Sequence, residues 1–166
     1  MQATIRRFLL ALGGIALGGC GWGPDVGQIW EPLWCGRELC GWKVDSGEAR
    51  PVPFWHEGDP ALGLSGGGSV SWRIEPYEPV GEALCLRLEV ASQSAGQVRF
   101  EVDLDDDGSV DRIELLGGRA WEIWKHESRL PVARKVTRYR MAFVNDGTSE
   151  AVFYPRVTSL YTCWPR

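Results

Sequence analysis

Between residues 84 and 143, apolar side chains return again and again at every second position, and nothing else in the chain constrains its fold so strongly. Leu84, Leu86, Leu88 and Val90 alternate with Cys85, Arg87 and Glu89, and Val98, Phe100, Val102 and Leu104 alternate with Arg99, Glu101 and Asp103. Tyr139, Met141 and Phe143 alternate with Arg138, Arg140 and Ala142 in the same way. Successive side chains of a strand point to opposite faces, so such runs, bounded by Gly, Pro, Asn and Asp, read as strands with one buried face. Further strands are predicted over 41–45, 60–65, 69–75, 109–116, 120–126 and 151–162. Eight or nine short strands with no convincing amphipathic helix predict an all-β fold, an antiparallel two-sheet sandwich.

The order of features from about residue 54 to 163 resembles the jelly-roll carbohydrate-binding modules and the wider galactose-binding-like group. The resembling segments are Gly66-Gly67-Gly68-Ser69, the strand pair 84–90 and 98–103, Trp121-Glu122-Ile123-Trp124, residues 139–145 and Ala151-Val152-Phe153-Tyr154. The resemblance implies a jelly roll and raises the prior for polysaccharide binding, because fold alone does not set function. It carries over no ligand residue.

The first nineteen residues have a different character. Arg6 and Arg7 precede twelve uncharged residues, 8–19. As a helix such a run rises about 18 Å, short of the roughly 30 Å of a bilayer core, so it reads as an export signal and not as a spanning helix. Leu17-Gly18-Gly19-Cys20 looks like the lipobox of bacterial lipoproteins, with Cys20 as the lipidation site and new N-terminus. That resemblance implies a protein attached to the lipid bilayer through Cys20, membrane-anchored and extracytoplasmic. With Gly21 rather than Asp after Cys20, it implies the outer membrane where the host is Gram-negative. The expected organisation is therefore a signal peptide over 1–19, a lipidated Cys and tether over 20–34, and a sandwich domain with an N-terminal Cys loop over 35–166.

Beyond residue 19 the chain carries 16 Lys+Arg against 22 Asp+Glu. An acidic domain lacks the clustered positive charge that phosphate binding needs, which excludes nucleic acid as a partner. Four cysteines remain, Cys35, Cys40, Cys85 and Cys163, an even number that outside the cytoplasm reads as two disulfides. Cys35–Cys40 closes a tight loop across Gly36, leaving Cys85–Cys163. Isolated cysteines at these spacings argue against zinc.

Residues 103–114, DLDDDGSVDRIE, fit the spacing of a twelve-residue calcium loop. Asp103, Asp105 and Asp107 fall at positions 1, 3 and 5, Gly108 at 6, the Ser109 carbonyl at 7, Asp111 at 9 and Glu114 at 12. Crowded carboxylates repel one another and favour a cation, here a structural Ca²⁺. The flanks, however, read as strands, and a hairpin turn of Asp and Gly needs no metal. Both readings stay open at this level.

Nine tryptophans, at 22, 30, 34, 42, 55, 72, 121, 124 and 164, are the second signal. Exposed rings stack on sugars and anchor interfaces, whereas buried ones fill a core. Trp121 and Trp124, three apart in one predicted strand, would face opposite sides, and Trp55 beside His56 and Glu57 is the best polar-aromatic cluster. These five residues are the candidate ligand contacts. Gly63-Leu64-Ser65-Gly66-Gly67 matches GxSxG formally, but the strand-to-helix turn of a nucleophile elbow is missing. The expectation is a non-catalytic binding module, with polysaccharide as its partner. The alternative is a structural or assembly protein that docks to another envelope protein.

Overall fold

The computed structural model describes residues 28–30, 33–53, 60–76, 79–93, 97–116 and 123–160, with the side chains of 28–30, 124 and 158–160 excepted. The predicted signal peptide, Cys20, Trp55, His56, Glu57, Trp121 and Cys163 lie outside these residues, and of Trp124 only the backbone lies within them.

Thirteen strands are described: β1 (Gln28–Trp30), β2 (Trp34–Cys35), β3 (Glu38–Leu39), β4 (Lys43–Ser46), β5 (Ala49–Val52), β6 (Ala61–Leu64), β7 (Ser69–Ile74), β8 (Ala83–Ser92), β9 (Val98–Leu104), β10 (Arg112–Leu115), β11 (Ile123–Pro131), β12 (Tyr139–Asn145) and β13 (Ala151–Leu160). They form the predicted antiparallel sandwich of jelly-roll type. One sheet runs β11-β8-β13-β6-β5, with β1 also paired to β13, and the other runs β10-β9-β12-β7-β4. β2 and β3 form a small hairpin closed by the Cys35–Cys40 disulfide, with Cα atoms 5.2 Å apart. Cys85 is also disulfide-bonded, to a cysteine outside the described residues.

The alternating side chains explain why the sheets face each other. Leu62, Leu64, Leu84, Leu86, Leu88 and Val90 of the first sheet meet Val70, Ile74, Phe100, Val102, Tyr139 and Met141 of the second in one core. Phe143 joins them, its ring lying 5.1 Å from Phe100, 5.2 Å from Trp42 and 5.4 Å from Phe153 across the sandwich. Edge-on and tilted aromatic contacts at such spacings add roughly 0.5–1.5 kcal/mol per pair beyond burial. Trp42 is thus a core residue.

The short strands β1, β2, β3 and β5 are not expected from the sequence, β1 falls within the expected tether, and two expected strands have boundaries displaced by several residues. The 109–116 strand shrinks to β10 because the acidic turn extends to Asp111, and the 120–126 strand becomes Ile123–Pro131. Pro155 sits inside β13, where a central strand ordinarily excludes proline. The Gln93 amide bonds the Val152 carbonyl, so along the β8 register the Pro155 nitrogen turns away from β8. On that other side, the β6 pairing ends at Phe153 and β1 begins at Thr158. Proline fills the gap where no N–H is required.

Candidate functional site

β12 runs the length of its sheet, and the two ends of the sandwich differ. At the Tyr139 end, the β7–β8, β9–β10 and β11–β12 connections surround a cleft of about 540 Å³ lined by Glu75, Asp105, Asp107, Arg134, Thr137 and Arg138. Val80 and Val136 are buried and exchange backbone hydrogen bonds of 2.9 Å, tying two of the three connections together.

The third connection is the acidic turn, and its carboxylates are bonded from within the protein. Asp103 accepts the amides of Asp107 (3.2 Å) and Gly108 (2.9 Å), Asp107 accepts that of Ser109 (2.8 Å), and Asp111 accepts that of Leu104 (2.7 Å). Arg134 donates to Asp105 through Nε at 3.1 Å and Nη2 at 2.8 Å, and Arg73 pairs with Asp106 at 2.8 Å. The Asp105 amide donates to the Arg138 carbonyl (3.0 Å), and Arg138 Nε donates back to the Asp105 carbonyl (3.1 Å). Asp105 (φ 75°) and Asp106 (φ 53°) are both left-handed, a conformation that disfavours residues with a Cβ. Strain of this kind persists only where surroundings over-determine it, and it clusters at ligand clamps. Here the arginines hold it in place.

The structure does not bring the twelve residues of the calcium spacing to one point. Glu114 pairs in register with inward-facing Phe100, whereas Asp103 alternates with core residues Val102 and Leu104 and faces the other way. Glu114 is also three residues up the sheet, roughly 10 Å at the strand rise. There it pairs with Arg112 at 2.5 Å and His126 at 3.1 Å. The period-two geometry of a strand separates what the helical flank of an EF-hand would join. Among the described residues, no group of three or more His, Cys, Asp or Glu is arranged to hold a metal.

The remaining sequence candidates fall as follows. His126 bridges the edge strands of the two sheets through Glu114. Ser65, the nominal nucleophile, lies in the turn that carries the chain from β6 of one sheet to β7 of the other, and accepts the Glu48 amide at 2.9 Å. Trp55, His56, Glu57 and Trp121 fall outside the described residues. Glu75, Arg134, Thr137 and Arg138 were not nominated from sequence. A usable signal existed, because 134–140 (RKVTRYR) is the densest basic stretch of an acidic chain and therefore a natural partner for the acid run 103–107.

Chemically, the cleft offers paired donors and acceptors. The Asp105 carboxylate, first by its hydrogen bond and then by its charge, holds the Arg134 guanidinium above its ordinary pKa, so the cation persists at any working pH. The Arg134 side chain is 73% exposed. Guanidinium N–H groups fixed by one carboxylate keep free hydrogens for a second acceptor, and carboxylate oxygens accept hydroxyls. Such a mouth suits a polyhydroxyl ligand.

No protein-family model matches the chain, and no curated protein matches it. Its fold is nevertheless shared with solved structures. It is similar to a xylan-binding module of class CBM15 at 13% identity and a TM-score of 0.51, over 82% of this chain and 97% of that one. It is similar to a CBM36 carbohydrate-binding module in complex with calcium and xylotriose at 12% identity and a TM-score of 0.50, over 80% and 98%. The K3 cleaved adhesin domain of Lys-gingipain from Porphyromonas gingivalis gives 13% identity and a TM-score of 0.51, over 80% and 98%. Likeness at these identities establishes the jelly-roll fold.

Proposed function

We propose that this chain is a membrane-anchored, extracytoplasmic lipoprotein whose sandwich is a non-catalytic polysaccharide-binding module. The lipid anchor rests on the lipobox-like segment ending at Cys20, and the second disulfide, Cys85–Cys163, belongs to the same extracytoplasmic reading. The observation that carries the binding function is the Arg134–Asp105 cleft, set on a fold whose xylan-binding and xylotriose-bound relatives it covers almost end to end. The cleft holds guanidinium, carboxylate and hydroxyl groups between connections tied together by the Val80–Val136 backbone bonds. Recognition there is by hydrogen bonds to sugar hydroxyls, and Trp55, His56 and Glu57 are the proposed stacking and rim contacts; Trp124, whose strand position pairs with Val90 at the far end of β11 from the cleft, and Trp121 are proposed as a separate aromatic contact.

Calcium enters as a second reading of residues 103–114. A cation at Asp105 would take the oxygen that Arg134 holds, so the metal and the ion pair exclude each other there. One titration tests both readings. Intrinsic tryptophan fluorescence of the chain is followed against soluble xylan, β-glucan and galactan, with Ca²⁺ and then with EDTA. Saturable change with one polysaccharide in both buffers supports the cleft as proposed. Loss of binding in EDTA assigns a cation to the loop, and a flat response to every polysaccharide moves the weight to an assembly role.

A further inference from the structure

Apart from the three-residue β1, four described strands form the outer edges of the two sheets, and three are defended against further pairing in ways natural sheets commonly use. β11 presents Lys125, Glu127 and Arg129 outward and ends in Pro131, β5 contains Pro51, and β4 is broken by a register shift between Val44 and Ser46. β10 has no proline, no register shift and no outward charge; its two charged residues, Arg112 and Glu114, lie on the inward face in register with Val102 and Phe100. Its outward residues are Ile113, 53% exposed, and Leu115, 76% exposed, the two most exposed large apolar side chains described.

The edge backbone of β10 is open as well. The Leu116 amide donates to the Val98 carbonyl at 2.9 Å, so by register Glu114 and Arg112 direct their backbone groups to β9. Ile113 and Leu115 therefore turn N–H and C=O away from β9, and among the described residues no strand pairs with them.

We propose that β10 pairs antiparallel with β10 of a second copy of this chain, about a two-fold axis at Ile113. Charge complementarity selects this occupant and this register. With the axis at Ile113, Arg112 of each copy lies opposite Glu114 of the other, and the two Ile113 side chains meet. Of the residues whose backbone groups are open, Leu115 as the axis would instead set each Glu114 against Leu116 of the other copy and leave the charge unmatched. Within one copy Arg112 and Glu114 already pair with each other, and the two-fold mate offers each a second partner of opposite charge in matching order. The proposal is independent of polysaccharide binding, because the cleft opens at the end of the sandwich and β10 lies along its side.

Site-specific cross-linking of the full chain tests it. A bonded antiparallel pair has Cα atoms about 5.5 Å apart, within disulfide reach, whereas residues two positions from the axis lie roughly 13 Å from their mates. Under mild oxidation Ile113→Cys gives a covalent dimer on a non-reducing gel, and Leu115→Cys does not. Adding Arg112→Glu to Ile113→Cys lowers the dimer yield roughly tenfold, since two attractive pairs become repulsive. The double exchange Arg112→Glu with Glu114→Arg restores it. Equal cross-linking at 113 and 115, or a dimer indifferent to the charge reversal, overturns the proposal.

Discussion

The two ends of β12, some 20 Å apart at the strand rise, use polar groups in opposite ways. At the Asn145 end they close the chain. Asn145 is fully buried, and its Nδ2 donates to the carbonyls of Leu64 (2.9 Å), Ser65 (3.1 Å) and Ser149 (2.8 Å), while its Oδ1 accepts the Gly147 amide (2.9 Å). Gly66 lies so close to Thr148 that a Cβ there would approach backbone atoms at 2.5 Å. At the Tyr139 end, Arg134, Asp105 and Arg138 make comparable bonds around an open cleft and keep them at the solvent boundary. One end is a fastening. The other is a mouth.

If that contrast is right, substitutions at the first end change stability, and those at the second change binding. The largest effect is expected at Asn145→Ala, which strands three carbonyls and an amide. A loss of about 3 kcal/mol is expected in urea unfolding. Gly66→Ala forces backbone apart at the same end and should remove about 2 kcal/mol in the same assay. Asp103→Ala lies at the opposite end yet is structural, since the buried carboxylate receives two turn amides. About 1–2 kcal/mol is expected there, and Asp103→Asn, which keeps one acceptor, should lose less. Thermal melts of the two Asp103 variants place the boundary between fastening and mouth. The smallest stability effect, under about 1 kcal/mol, is expected at Arg134→Ala, because exposed ion pairs contribute little. A larger loss there would merge the two ends into one structural class.

The sequence was most legible where one face is apolar throughout. β8, β9 and β12 follow from their alternation because every second residue enters the core. β11 was displaced because its inward positions include His126 and Ser128 before Leu130, so the alternation fades although the pairing with β8 runs to Pro131. β5 was missed because Pro51 reads as a breaker, whereas an edge strand tolerates it. Asn145 read only as the end of a run, since its four bonds reach loops whose position the sequence does not encode locally. The acidic turn was found, but its spacing resembled a calcium loop until strand geometry set Asp103 and Glu114 on opposite faces. The arginines that pair with it come from residues 73, 134 and 138, and only the fold makes them neighbours.

The central claim is tested most directly by titrating soluble xylan, or whichever polysaccharide binds, into the wild-type chain and Arg134→Ala under identical conditions. The account predicts saturable wild-type binding and at least a roughly tenfold weaker variant, as befits loss of a charge-assisted contact, with a melting temperature lowered by no more than a few degrees. Equal affinity in the two proteins, or no saturable binding by the wild type to any polysaccharide, would contradict it.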